Sequence, residues 1–161
     1  MTGRHLVSTL ITSLLLIINW GCEDSQSYPH TPHIAFHSFT VAPSAEPTEQ
    51  AIGKLTLTFV DGDADIGFAD TTLTDTFNLF LSTFYRQNND YTLKFDPVGY
   101  RLPEVPQSSY KTHAKGEIEL TLPFISIPND SIKFSVYLFD RAGNKSNTLE
   151  TPSFLLSLSD N

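Results

Sequence analysis

The chain predicts an all-β domain, an antiparallel immunoglobulin-like β-sandwich of about seven strands preceded by a helical signal peptide. Three observations lead there. Apolar and polar residues alternate with period 2 over residues 55–60, 118–122 and 132–138. Clusters of Gly, Pro, Asn and Asp separate these runs at short intervals. Beyond residue 22, no segment keeps a helical apolar period over three turns. A small closed barrel is the alternative, because counting strands does not separate the two.

Composition agrees with that class and narrows the function. A chain of 161 residues can bury a real core as one domain. Its 12 Phe and 6 Tyr, with abundant Thr and Ser, suit strands better than helices. The formal net charge of -8 argues against nucleic acid as a partner, since phosphates need clustered Lys and Arg. One Cys excludes an intramolecular disulfide.

Residues 1–21 read as a signal peptide. Arg4 and His5 precede an apolar run over 6–18, and Gly21 is the small residue before the cut. Ser8, Thr9, Thr12 and Ser13 interrupt the run, which is short for a bilayer span. A membrane-anchoring helix followed by a buried free Cys is the competing account. Residues 22–32 form a polar, Pro-punctuated tether, and residues 33–161 form the domain.

The strands follow in order. Residues 34–41 form the first, and a loop bearing Pro and Glu leads to residues 55–60, where Leu55, Leu57 and Phe59 share one face. Residues 77–85 are apolar on both faces, as in a central strand. The turn at 87–90 makes a hairpin with Tyr91, Leu93 and Phe95. Residues 97–110 hold three prolines and read as an irregular crossover. Half-exposed strands follow at 118–122 and 132–138. A turn at 140–147 leads to a last strand at 154–158.

Three short motifs carry a resemblance. Gly21-Cys22 after the apolar run resembles the lipobox of bacterial lipoproteins, in the relaxed Bacteroidetes-type form, with Asn19 and Trp20 departing from the usual pattern. Residues 59–67 (FVDGDADIG) resemble the DGDGDIG-like segment of Bacteroidetes-type lipoproteins of undefined function. Residues 140–147 (DRAGNKSN) resemble the D-x-AGN-x-S turn of bacterial Ig-like extracellular domains. The resemblance implies that Cys22 carries acyl chains such as palmitate and anchors the protein at the outer membrane. Glu23 and Asp24 resemble a signal for surface exposure. More than one acyl chain gives stable attachment.

Asp61, Asp63 and Asp65 alternate through the turn after residues 55–60. Alternate aspartates broken by Gly gather the hard oxygens that calcium takes. They match the start of an EF-hand loop, but Ile66 stands where Gly is required and Thr72 where the bidentate Glu belongs. This is no EF-hand. With residues 55–60 as strand B and 132–139 as strand F, the B–C and F–G loops share one end of the sandwich. Asp140 and Asn144 then face Asp61, Asp63 and Asp65 as calcium ligands, with carbonyls near Gly62 or Ala64. The competing account is a metal-free turn in which the aspartates cap their own backbone and Arg141 neutralises them. Three such carboxylates repel one another unless a cation or several N–H donors lie among them.

Other constellations are weaker. His30, His33 and His37 cluster near the tether, and His33 and His37 share a strand face, so zinc or copper is conceivable there. Glu117 and Glu119 on one outward face read as solvated rather than as a glycosidase pair. Asp70-Thr71-Thr72 and Asp130-Ser131-Ile132 resemble Bacteroidetes-type O-glycosylation sites. No Gly-x-Ser-x-Gly elbow, phosphate loop or HExxH occurs. The expected function is a non-catalytic binding or structural module of the cell envelope, stabilised by calcium. It would be held to the membrane through Cys22 and meet a protein or glycan partner, with Phe80, Phe84, Tyr137 and Phe139 as core or as contact surface. An envelope enzyme working at the acidic loop and an unlipidated, adhesin-like secreted module are the alternatives.

Overall fold

Alternation along the chain builds β1 (His33–Pro43), β2 (Ala51–Asp61), β3 (Leu79–Gln87), β4 (Asp90–Tyr100), β5 (Ala114–Phe124), β6 (Ser131–Leu138), β7 (Leu149–Glu150) and β8 (Phe154–Leu155). The computed structural model describes residues 27–69, 76–105, 113–125 and 131–156. The signal peptide, Cys22, the first part of the tether, Asp70-Thr71-Thr72 and Asp130 lie outside the described residues.

One sheet has the order β1-β2-β5, and the other has the order β4-β3-β6 with β7 and β8 both along the outer edge of β6. Every pairing is antiparallel. Among the described residues no strand pairing joins the two sheets, so the fold is an antiparallel β-sandwich and not a closed barrel. Between them lies the core. Leu55, Leu57 and Phe59 of β2 and Ile118, Leu120 and Leu122 of β5 point inward from one side. Ile132, Phe134, Val136 and Leu138 of β6 meet them from the other. Burying a side chain of this size contributes about 1.5–3 kcal/mol, so strict period 2 commits each strand to one face.

Departures from the pattern expected of the sequence have local causes. In β1 the register shifts between Phe36 and Ser38. Ile34 and Phe36 therefore face the core on even numbers, while Phe39 and Val41 do so on odd ones. The hairpin turn places Asn88 at φ 51 and Asn89 at φ 72, the left-handed pair that a tight two-residue hairpin requires. The crossover expected from residue 97 begins only after Tyr100. Pro97 sits inside β4, where the pairing to β3 shifts between Leu81 and Thr83, and its missing N–H breaks no regular pair.

The strand expected at 154–158 is seen as β8, its residues 157–158 lying outside the described residues. A short β7 precedes it, and Pro152 between the two cannot donate to β6. Side chains complete that edge instead. Thr151 Oγ1 accepts from the Phe134 N–H at 3.0 Å, and Ser146 Oγ accepts from the Leu138 N–H at 3.0 Å. Asn147 joins the sheets: its Oδ1 accepts from the Ile34 N–H at 2.8 Å and its Nδ2 donates to the Ile34 carbonyl at 2.9 Å. One amide thus takes the place of a paired strand residue.

Replacing Asn147→Ala leaves the amide and carbonyl of buried Ile34 without these partners. Urea denaturation should show a loss of about 2 kcal/mol. A loss within error of zero would mean that the Asn147 bridge adds nothing to stability.

Candidate metal centre

The strands themselves deliver the acidic groups. Inward positions on β2 run Leu55, Leu57, Phe59 and then Asp61, which is 0% exposed. Inward positions on β6 run Ile132, Phe134, Val136, Leu138, and the next in phase is Asp140, 4% exposed. Two core strands, one from each sheet, therefore each lead to a buried carboxylate, Asp61 at the end of β2 and Asp140 two residues beyond β6.

Beyond Asp61 the chain folds tightly over that end. Ala64, at φ 57, and Ile66 are both buried in the core cluster and plug the loop down between the aspartates. Ile66, the residue that breaks the EF-hand pattern, is thus an apolar anchor. Gly67 has φ 83, and a Cβ there would run into the Pro103 carbonyl. The segment before β5 braces the loop: Phe68 N–H donates to the Leu102 carbonyl at 3.1 Å and Val105 N–H to the Ile66 carbonyl at 3.2 Å.

The F–G turn closes on the same loop, as the sandwich topology leads one to expect. The Arg141 N–H donates to the Asp65 carbonyl at 3.1 Å. The Ala142 N–H donates to Asp65 Oδ2 at 3.0 Å. The Arg141 side chain reaches past the aspartates to the Gly67 carbonyl at 3.0 Å and to Glu104 Oε1 at 3.1 Å.

Each of the three aspartates is half satisfied. Asp61 Oδ2 accepts from the Asp65 N–H at 2.9 Å. Asp63 Oδ2 lies 3.0 Å from His30 Nδ1. Asp65 Oδ2 takes the Ala142 N–H. In every case the second oxygen, Oδ1, is buried and has no hydrogen-bond partner. One oxygen from each of Asp61, Asp63 and Asp65 lies within 4.8 Å of the others. Two calcium–oxygen bonds laid end to end span about 5 Å, so one ion can reach all three. These residues can hold a metal ion.

Electrostatics point the same way. Burial pushes the Asp61 carboxyl up to about 6, and the charges of Asp63, Asp65 and Asp140 add to that rise against the Asp65 N–H. Asp65 is also raised, by burial first and then by Asp140 and Asp63, while the Ala142 N–H and Arg141 oppose. The protein donors around the site therefore offset only part of the cost of three charges.

Asp140 and Asn144 lie in the adjoining turn and are bonded to each other. Asp140 Oδ1 accepts from the Asn144 N–H at 2.7 Å and Oδ2 from Asn144 Nδ2 at 2.8 Å. With Gly143 at φ 87, this pair shapes the turn that presents the Ala142 N–H. Among the described residues, the acidic group close enough to share one ion is Asp61, Asp63 and Asp65, and the three histidines form no such group. His30 meets Asp63, and His37 Nε2 lies 3.9 Å from Glu117 Oε1. Sequence reasoning misses His30 as a partner of Asp63; nothing in residue spacing signals a contact that the sandwich creates. Comparison with family models, curated proteins and solved structures finds no match to this chain.

A raised carboxyl means that the folded state holds its proton more tightly than the unfolded chain does. The contribution of Asp61 to stability is complete below pH 3.8 and is lost as pH rises through about 6. In the presence of a chelator, stability should fall by about 1–2 kcal/mol between pH 5 and pH 7.5. Asp61→Asn should flatten that slope. Equal slopes in both proteins would show that Asp61 titrates as an ordinary carboxyl.

Proposed function

We propose that this domain is a non-catalytic binding or structural module whose loop end is stabilised by calcium, exported and held at the outer membrane through a lipid on Cys22. The observation that carries the calcium reading is the set of three buried, unpartnered Oδ1 atoms on Asp61, Asp63 and Asp65. Calcium takes six to eight oxygens in a flexible shell, whereas magnesium demands a strict octahedron and gives up water reluctantly. Three carboxylate oxygens, with carbonyls and water for the remainder, suit the former.

The arrangement favours a structural ion. The second oxygen of Asp61 is tied to its own loop, that of Asp63 to the segment before β1, and that of Asp65 to the F–G turn. An ion drawing on all three would staple three separate stretches of chain together. It would also neutralise most of the charge that burial leaves uncompensated.

A second feature favours the binding role. Phe80, Tyr137 and Phe139 lie on the outer face of the β3–β6 pair, away from the core. Phe80 stacks on Tyr137 at 5.3 Å, and Phe139 stands edge-on to both. Lys145 Nζ sits 3.9 Å from the Tyr137 ring centroid, and Lys133 Nζ sits 5.6 Å from that of Phe84. Half-buried aromatic planes bordered by ammonium groups suit stacking against a protein or glycan partner. Membrane attachment rests on the Gly21-Cys22 junction alone.

Calcium titration followed by thermal melting tests the metal. Calcium at one hundred times its Kd should add about 2.7 kcal/mol, a rise of several degrees, and magnesium should add less. Asp61→Asn should abolish the response. An unchanged melting midpoint in millimolar calcium would leave the loop as a plain turn. Attachment is tested separately: radiolabelled palmitate should mark the wild-type protein and not Cys22→Ala, and absence of label on both would end the lipid reading.

A further inference from the structure

The stretch just before β1 is built into the acidic loop. The Gly62 N–H donates to the Pro29 carbonyl at 2.8 Å. A Cβ on Gly62 would collide with the carbonyl oxygens of Tyr28 and Pro29, so the close approach depends on glycine. Pro32 is fully buried, and the Tyr28 ring lies 4.9 Å from the His113 ring at 46°. Two residues after Pro32, Asn147 grips both backbone groups of Ile34. Residues 28–34 therefore lie along the loop end of the sandwich as a strap.

His30 is the point where this strap meets a candidate ligand. Its Nδ1 lies 3.0 Å from Asp63 Oδ2, while Asp63 Oδ1 is one of the three buried oxygens left without a partner. Asp63 is more open than Asp61, since its side chain is 33% exposed and Asp61 is fully buried. Without His30 its carboxylate can rotate, and binding an ion would have to freeze that rotation. An outer partner on the second oxygen removes this cost and aims the first oxygen.

We infer that His30 is a positioning residue for the cation site, and that cation binding and docking of the 28–32 strap reinforce each other. This rests on the calcium reading of the aspartate loop and adds a part of the chain outside that loop. The neutral imidazole suffices, with its proton on Nδ1, so the contact needs no charge on His30. Coupling between two binding events is reciprocal: if the docked strap tightens calcium binding by some factor, calcium tightens strap docking by the same factor.

The test uses the full chain, purified in detergent, with calcium chloride as the titrant in calorimetry. His30→Ala should weaken calcium binding about tenfold, the lower end of what loss of an outer partner costs. His30→Asn should restore it, because asparagine holds Nδ2 where the imidazole holds Nδ1. Melting of the metal-free protein should be the same in all three, which separates positioning from a general loss of stability. Hydrogen exchange adds an independent reading: calcium should slow exchange at the Gly62 amide in the wild type and do so less in His30→Ala. Calcium heat in the wild type with an unchanged constant in His30→Ala would overturn the strap and leave the calcium site standing. No calcium heat in the wild type would overturn both.

Discussion

Three carboxylates crowded at the closed end of an apolar sandwich are the constraint around which the rest of the loop architecture is arranged. At a separation of 4 Å and an effective dielectric of 20, each like-charge pair costs about 4 kcal/mol. Water would screen such a pair, but Asp61 has none of its surface exposed. The chain answers with donors. The Asp65 and Ala142 amides and the His30 ring each engage one oxygen, and Asp140 is occupied by Asn144. Those contacts leave one oxygen of each aspartate without a hydrogen-bond partner, and burial, with the neighbouring carboxylates adding to it, raises the Asp61 carboxyl to about 6.

The scaffold is suited to holding such a site rigidly. β2 and β6 are the middle strands of their sheets, each with hydrogen-bonded neighbours on both sides. The backbone of Asp61, at the inward end of β2 and paired with Ala114, cannot move away without breaking the ladder. The loops between them are then fastened by main-chain bonds, by the buried Ile66, and by the brace from residues 102–105. The D-x-AGN-x-S turn has a physical role at each named residue. Asp140 and Asn144 close it, Gly143 supplies the left-handed conformation, Ala142 donates to Asp65, and Ser146 returns the chain to the edge of β6.

Much of this is legible in the order of residues alone. Period 2 in residues 55–60 and 132–138 fixes which residues face the core, and carrying the same count forward puts Asp61 and Asp140 inside as well. Taking those runs as strands B and F correctly brings the two acidic loops to one end. Four features are not legible there. The bulge in β1 and the place of Pro97 in β4 depend on how neighbouring strands register, which local pattern does not encode. Asp140 and Asn144 satisfy each other across four residues, a contact that short-range turn chemistry allows but that ligand counting overlooks. His30 lies 33 residues before Asp63, and only the path of the strap over the loop joins them.

The sequence by itself therefore determined the inward faces of β2, β5 and β6, the all-β class and the acidic character of one loop end. These follow from alternation and turn chemistry, which act over a few residues. Only the tertiary structure decided which oxygens of those aspartates are engaged and which are left buried without a partner. That distinction depends on donors supplied from the F–G turn and from the segment before β1, brought into place by packing the two sheets. An isolated DGDAD turn would be solvated like any other; packing in the sandwich leaves one oxygen of each aspartate buried without a hydrogen-bond partner, close enough together that the three residues could hold an ion.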